Sequence, residues 1–167
     1  MGKENSFIQK HAELWKFIKF SFAGVFSYII QYIVTLIFLH LVFKGLHNQT
    51  VNSEFFKFLG IDGQMDYAYS YLVGATVGYI VAFIMNRKVT FGANNGVTSS
   101  VIMYIIMVVF TVFVSSWMNA AFTRFAESKG YDVENGIVYF VIFALVTLIP
   151  FLWTYPLQRF VILRKKD

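Results

Sequence analysis

Arg87 and Arg159 each end a long apolar stretch of this chain, and they do so in matching contexts. The first reads Phe83-Ile84-Met85-Asn86-Arg87-Lys88-Val89-Thr90-Phe91, the second Tyr155-Pro156-Leu157-Gln158-Arg159-Phe160-Val161-Ile162-Leu163. In register, aromatic faces aromatic, carboxamide faces carboxamide, arginine faces arginine, and Val89 faces Val161. A guanidinium presents a planar fork that meets two phosphate oxygens at once, and an adjacent carboxamide can bond a further oxygen or a sugar hydroxyl. Arg87, Arg159, Lys88, Asn86 and Gln158 are therefore the candidate residues for binding the phosphate of a lipid headgroup. A cation at a helix end is also an ordinary membrane anchor, because its side chain reaches the headgroups at little cost. The recurrence of its neighbours favours the phosphate clamp, since an anchor alone does not require them.

A second group of polar residues lies within the apolar stretches. Gln31, near the middle of the first, is the costliest to bury; Ser115 and Asn119 lie in the third, Thr154 and Tyr155 in the fourth. Polar groups at membrane depth normally face the interior of a helix bundle. These five are candidates for lining a polar pathway, with interhelical hydrogen bonding as the alternative for the hydroxyls, each of which can bond a carbonyl one turn back. Gly74, Gly78 and Ala82 form a small-residue stripe at one-turn spacing that lets helices approach closely, and Gly24 with Ala23 is a candidate partner on the first helix. Helix 4, helix 1 and another subunit are all open as the partner of that stripe.

The absences narrow the function. No Gly-rich Walker loop, paired carboxylates, Ser/His/Asp set or metal-ligand cluster is present, and there is no cysteine. Catalysis, a cofactor and a metal site are not expected, and no carboxylate lies inside a span to carry a proton relay. The net charge of +5 does not imply nucleic acid, because the basic residues flank apolar stretches, where contact with anionic lipid and topology setting are the usual reasons.

The elements that must position these residues follow from charge-free length. The chain is 57% hydrophobic, 20% aromatic and only 14% charged, against about 25% charged in soluble domains. No charged residue lies between Lys19 and Lys44, Asp66 and Arg87, Lys88 and Arg124, or Glu134 and Arg159. A bilayer crossing takes about 20 apolar residues. The third stretch is interrupted near its start by Gly92-Ala93-Asn94-Asn95-Gly96, which is turn chemistry. Four transmembrane helices are expected, at about 18–43, 67–87, 99–125 and 136–158, in one domain over 1–167. Residues 6–19 read as an amphipathic helix lying in the membrane interface and continuing into the first span. Pro150 and Pro156 should break or kink the fourth. Lys3, Lys10, Lys16, Lys19, Arg87, Lys88, Arg159, Arg164, Lys165 and Lys166 fall on one side, and Lys44, Lys57, Arg124 and Lys129 on the other. The positive-inside rule then puts both termini in the cytoplasm. The expected architecture is all-α: two fused two-helix repeats, at about 18–91 and 99–163, parallel because both start on the same side.

Phe83, Asn86, Arg87, Thr90 and Phe91, with the opening Phe20-Ser21-Phe22-Ala23-Gly24-Val25, give a pattern that resembles the GtrA-like family. The layout covers about residues 14–165, and the specific motif spans nine positions. The chain departs from the family pattern in carrying Ala82 where Asn is frequent, Val89 where Trp is usual, and Gln31 where the first helix often has an acidic residue. The resemblance implies a bacterial cytoplasmic-membrane protein that translocates a polyprenyl-phosphate-linked monosaccharide, such as undecaprenyl-phosphate glucose or galactose, for a cell-envelope polysaccharide or teichoic acid. It implies two partners: a polyprenyl-phosphate glycosyltransferase at the cytoplasmic face and an outward-acting membrane glycosyltransferase. A non-transporting scaffold that recruits the first of these is the alternative. Four helices are few to enclose a pathway, which leaves room for a homodimer.

Overall fold

In lipid, every backbone N–H and C=O has to be satisfied within the spanning segment, so long charge-free runs fold as helices. The computed structural model describes residues 11–58, 64–132 and 136–164. In chain order its helices are α1 (Ala12–Ile37), α2 (Glu54–Phe58), α3 (Met65–Met85), α4 (Val97–Ser128), α5 (Gly136–Leu148) and α6 (Phe151–Pro156). Wide turns extend α1 to Val42, α3 to Thr90 and α6 to Ile162. Four stretches are long and apolar enough to cross a membrane: Ala12–Val42, Met65–Thr90, Val97–Ser128 and Gly136–Ile162. The shortest, 26 residues, is about 39 Å long at ~1.5 Å per residue and exceeds a hydrocarbon core of about 30 Å. This is an all-helical, multi-pass membrane protein. Among the described residues there is no strand, only an isolated bridge between Thr50 and Gln64.

The observed spans contain the expected ones almost entirely and overrun them at the ends. Residues 12–19 are part of α1 itself, with no break before the first span; residues 6–10 of the expected interfacial helix lie outside those described. At the other ends the overrun comes from the wide turns, in which an N–H reaches back five residues instead of four. Phe43 N–H meets Phe38 O at 2.8 Å, and Phe91 N–H meets Asn86 O and Leu163 N–H meets Gln158 O, both at 2.9 Å. Pro156 precedes one of these turns and no proline precedes the other two, so proline is not their common cause. Pro150 has the effect expected of it. Lacking an N–H, it divides α5 from α6, and its own carbonyl accepts from the N–H of Trp153 (3.2 Å) and Thr154 (2.9 Å). Gly130, with φ of 77°, ends α4 in a left-handed cap that turns the chain toward α5.

The spans pair as two hairpins. In the first, the glycine stripe of α3 lies on α1: a Cβ at Gly78 would sit 2.9 Å from Gln31 Cβ, and one at Gly74 would run into Thr35 Oγ1. The stripe therefore meets helix 1 of the same chain, through Gln31 and Thr35. Gly24 takes no part in that approach, because a Cβ built there meets no atom within 4 Å. In the second hairpin α6 returns along α4, with Trp153 Nε1 donating to Thr111 Oγ1 at 3.1 Å and the Trp153 ring on Phe110. The hairpins join at the end that carries Arg87, Lys88 and Arg159. Phe20, Phe91, Tyr104, Met107, Ile162 and Leu163 form the buried core there and draw on all four spans.

Because the α1–α3 approach has no space for a side chain, Gly78→Leu should lower thermal stability in detergent by about 1–3 kcal/mol, the usual range for overpacking. Gly24→Ala should leave the melting temperature unchanged or raised, as measured by temperature-dependent loss of the monodisperse chromatographic peak.

Candidate functional site

The joint between the hairpins is built on the two carboxamides that the sequence places in register. Asn86 Nδ2 donates to Gln158 Oε1 at 3.0 Å, and Thr90 Oγ1 donates to Asn86 Oδ1 at 3.1 Å. Both carboxamides are buried, at 3% and 4% exposure. Each also heads one of the five-residue turns through its own carbonyl, so the backbones on the two sides match. Burial matches over the same stretch: Thr90 with Ile162 and Phe91 with Leu163 are buried, while Lys88 with Phe160 and Val89 with Val161 are exposed. An α-helical turn advances each side chain by a fixed angle; widening it by one residue re-aims the side chains that follow.

The two arginines occupy equivalent positions and make different contacts. Arg87 Nη1 donates to Asn95 Oδ1 at 3.1 Å and Ser100 Oγ at 3.0 Å, and its Nη2 donates to the Asn95 carbonyl. Asn95 Nδ2 and Ser100 Oγ then donate to the Ile162 carbonyl at 2.8 and 2.9 Å. Arg87 thus staples the 92–96 turn and the start of α4 onto the end of the second hairpin. All of these partners are neutral, and no carboxylate pairs with Arg87 among the described residues. Arg159 instead meets a carboxylate. Its Nε and Nη2 donate to Glu13 Oε2 and Oε1 at 3.3 and 3.0 Å, and its guanidinium lies 5.4 Å from the Phe160 ring. Glu13 also accepts from Lys16 Nζ at 2.7 Å, and Tyr155 OH donates to the Glu13 backbone carbonyl at 3.3 Å.

Above the joint, toward the bundle middle, a cavity of about 260 Å³ lies among all four spans. Its polar lining includes Gln31, Asn86, Thr111, Thr154 and Gln158. Gly24, Gly78 and Ala82 border it; a Cβ at Gly24 would enter open space, whereas one at Gly78 would meet Gln31. The chain has no family model, curated protein or solved structure that matches it. What the site can do follows from its own residues. Among those described, no three His, Cys, Asp or Glu side chains are placed to hold a metal. The arrangement offers a few neutral donors and acceptors to a polar group in a mostly apolar cavity, and the residue after each lining carboxamide at the joint is an arginine.

The sequence-derived candidates separate into those brought together here and those left apart. Asn86, Gln158, Gln31 and Thr154 line the cavity; Arg87 and Arg159 do not, and each follows a lining carboxamide in sequence while its guanidinium bonds elsewhere. Lys88 is exposed beside them. Tyr155 packs its ring on Phe17 and Phe20, with centroids 5.2 and 5.3 Å away. Ser115 is half-buried on α4 and does not border the cavity, and Asn119 is exposed on the outside of the bundle. The sequence reading missed Glu13, Asn95, Ser100 and Thr111. Asn95 stood out only as a turn former. Glu13 had a local signal in its spacing of three from Lys16, which puts both on one helix face, but nothing local pointed to Arg159.

Removing either carboxamide leaves the other buried with an unmet group. Asn86→Ala and Gln158→Ala should each destabilise the protein, and the double variant should lose less than their sum by about 0.6, up to about 1.7 kcal/mol, read from denaturant titration in matched micelles. Arg87→Lys should speed amide hydrogen exchange across residues 92–96, because a single ammonium nitrogen cannot span acceptors that the fork meets with two separate nitrogens. Arg159→Lys should leave that exchange unchanged.

Proposed function

We propose that this protein moves a polyprenyl-phosphate-linked monosaccharide across the bacterial cytoplasmic membrane, supplying sugar for a cell-envelope polymer. The observation that carries this reading is the cavity between the hairpins, which puts carboxamides and hydroxyls at membrane depth. These groups are hydrogen-bonded within the protein, Asn86 to Gln158, Thr111 to Trp153 and Thr154 to the Pro150 carbonyl, so a polar guest would use the donors and acceptors that remain. The lipid tail would stay in the bilayer beside the bundle while the sugar passes Gln31, Thr154 and the carboxamide pair. The phosphate would be held at the basic end, where Arg159, Arg87 and Lys88 concentrate positive charge. The resemblance to the GtrA-like family points to the same substrate class and to a glycosyltransferase on each face as partners. No fuel-binding motif is present, so net movement would follow consumption of the sugar on the far side.

The same reading includes a duplicated architecture, with the basic end in the cytoplasm. Matched turns, matched burial and facing carboxamides support two fused two-helix repeats related by an axis near the membrane normal. The excess of Lys and Arg at that end supports cytoplasmic termini.

A second reading is favoured by the arginines themselves. Both have protein partners, Arg87 in the turn and Arg159 on Glu13, as expected of structural fasteners in a membrane scaffold that recruits a glycosyltransferase. A scaffold does not need the cavity lining. Purified protein in liposomes carrying polyprenyl-phosphate glucose on one face should accelerate its appearance on the other. Gln31→Leu and Gln158→Leu should each slow this about tenfold, the loss of about one hydrogen bond to the passing group. Asn119→Leu, outside the cavity, should transfer at the wild-type rate. No acceleration over protein-free liposomes would remove the transport reading.

A further inference from the structure

Glu13 occupies Arg159 in the manner of a phosphate. Its two carboxylate oxygens take the Nε and Nη2 donors of one guanidinium edge, and one of those oxygens also meets Lys16 Nζ. Two unesterified oxygens of a prenyl phosphate, whether monoester or diester, have nearly the same spacing and the same affinity for that edge. The arginine side chain is shielded, at 19% exposure, whereas that of Glu13 is 60% exposed. One partner is therefore fixed and the other replaceable. Glu13 lies in the first turn of α1, which has no side-chain cap, and a terminal turn moves at low cost. Half-exposed ion pairs are individually weak, so an incoming anion does not face a large barrier.

The position suits a lipid phosphate. Arg159 directly follows Gln158, which lines the cavity, and Tyr155, one turn earlier, holds the Glu13 backbone. A phosphate on Arg159 would sit one residue along the chain from the buried Gln158 carboxamide. Arg87 is placed differently: its fork is filled by Asn95 and Ser100, which also hold the turn closed.

We propose that Arg159 and Lys16 form the phosphate-binding site for a prenyl phosphate, and that Glu13 is a built-in competing anion which closes it when no lipid is bound. This rests on the lipid-phosphate part of the function proposed above. It assigns the two matched arginines unequal tasks, with Arg159 binding the ligand and Arg87 fastening the fold. It also makes the first turn of α1 the element that opens as the lipid enters.

The test measures binding of geranyl phosphate, with inorganic phosphate in parallel, to the full-length protein in phosphatidylcholine nanodiscs by calorimetry. Glu13→Gln and Glu13→Ala should each tighten geranyl phosphate about fivefold, the range for an exposed pair that no longer has to be broken. Arg159→Gln should weaken it, and in that background Glu13→Gln should change nothing further. Unchanged or weaker binding in both Glu13 variants overturns the proposal. Equal tightening with and without Arg159 also overturns it, because that result reports only a general change in charge. Equal tightening of inorganic phosphate would overturn the lipid as ligand and leave a free-phosphate site. Tightening without any lipid transfer in liposomes would remove the transport reading and keep the site. Transfer with unaltered binding would do the reverse.

Discussion

Lipid tails are as apolar as leucine, so no hydrophobic force drives one helical hairpin onto another inside a bilayer. Association there depends on close packing and on polar groups that find one another. In this protein the polar groups lie at one end, and the Asn86–Gln158 hydrogen bond is at their centre. The aromatic and aliphatic core around it, from Phe20 to Leu163, closes over that bond. The same two carboxamides line the cavity above. One contact therefore joins the halves and forms the boundary of the space between them. Filling the cavity with apolar side chains would make the bundle denser, but would leave the carboxamides with nothing to present to a polar guest.

Equivalent backbone need not mean equivalent chemistry. The two five-residue turns match in hydrogen bonding and in which residues they bury. The arginine after each carboxamide then meets whatever its surroundings supply. Beside Arg87 this is a Gly- and Asn-rich turn with carbonyl and hydroxyl acceptors. Beside Arg159 it is the start of α1, which brings a carboxylate. A neutral cradle fixes a guanidinium in place and leaves its charge, whereas a carboxylate offsets the charge through a bond that another anion can replace.

The parts of the fold governed by local rules were legible in the residues. Charge-free length located the four spans, and Gly92 to Gly96 located the turn before α4. The Gly74–Gly78 stripe announced a close approach, and only the structure shows that it meets Gln31 and Thr35 of α1. The span ends ran past the expected limits because a wide turn has no known residue signature; Asn86 and Gln158 share the carboxamide, but Phe38 heads a similar turn without one. Gln31 and Thr154 were found by their cost in lipid, which is a property of one residue. Ser115 and Asn119 met the same criterion and lie elsewhere, because span membership does not determine which way a side chain faces. Glu13 and Arg159 are 146 residues apart, and a contact of that range leaves no mark in spacing.

The account stands or falls on whether the space between the hairpins, mostly apolar in its wall but carrying carboxamides and hydroxyls, admits water and polar groups in the membrane. The chain has no native cysteine, so single-cysteine variants report cleanly. The most direct measurement is the reactivity of Thr154→Cys and Ser27→Cys, two positions on the cavity wall, toward a small charged thiosulfonate in lipid nanodiscs, compared with Ile106→Cys on the outside of α4, where the native residue is 63% exposed. A thiol ionises and reacts only where water reaches it. The account predicts reaction at 154 and 27 and none at 106. Inert thiols at 154 and 27 with a reactive thiol at 106 would contradict it, because the water-lined face would then lie on the outside of the bundle.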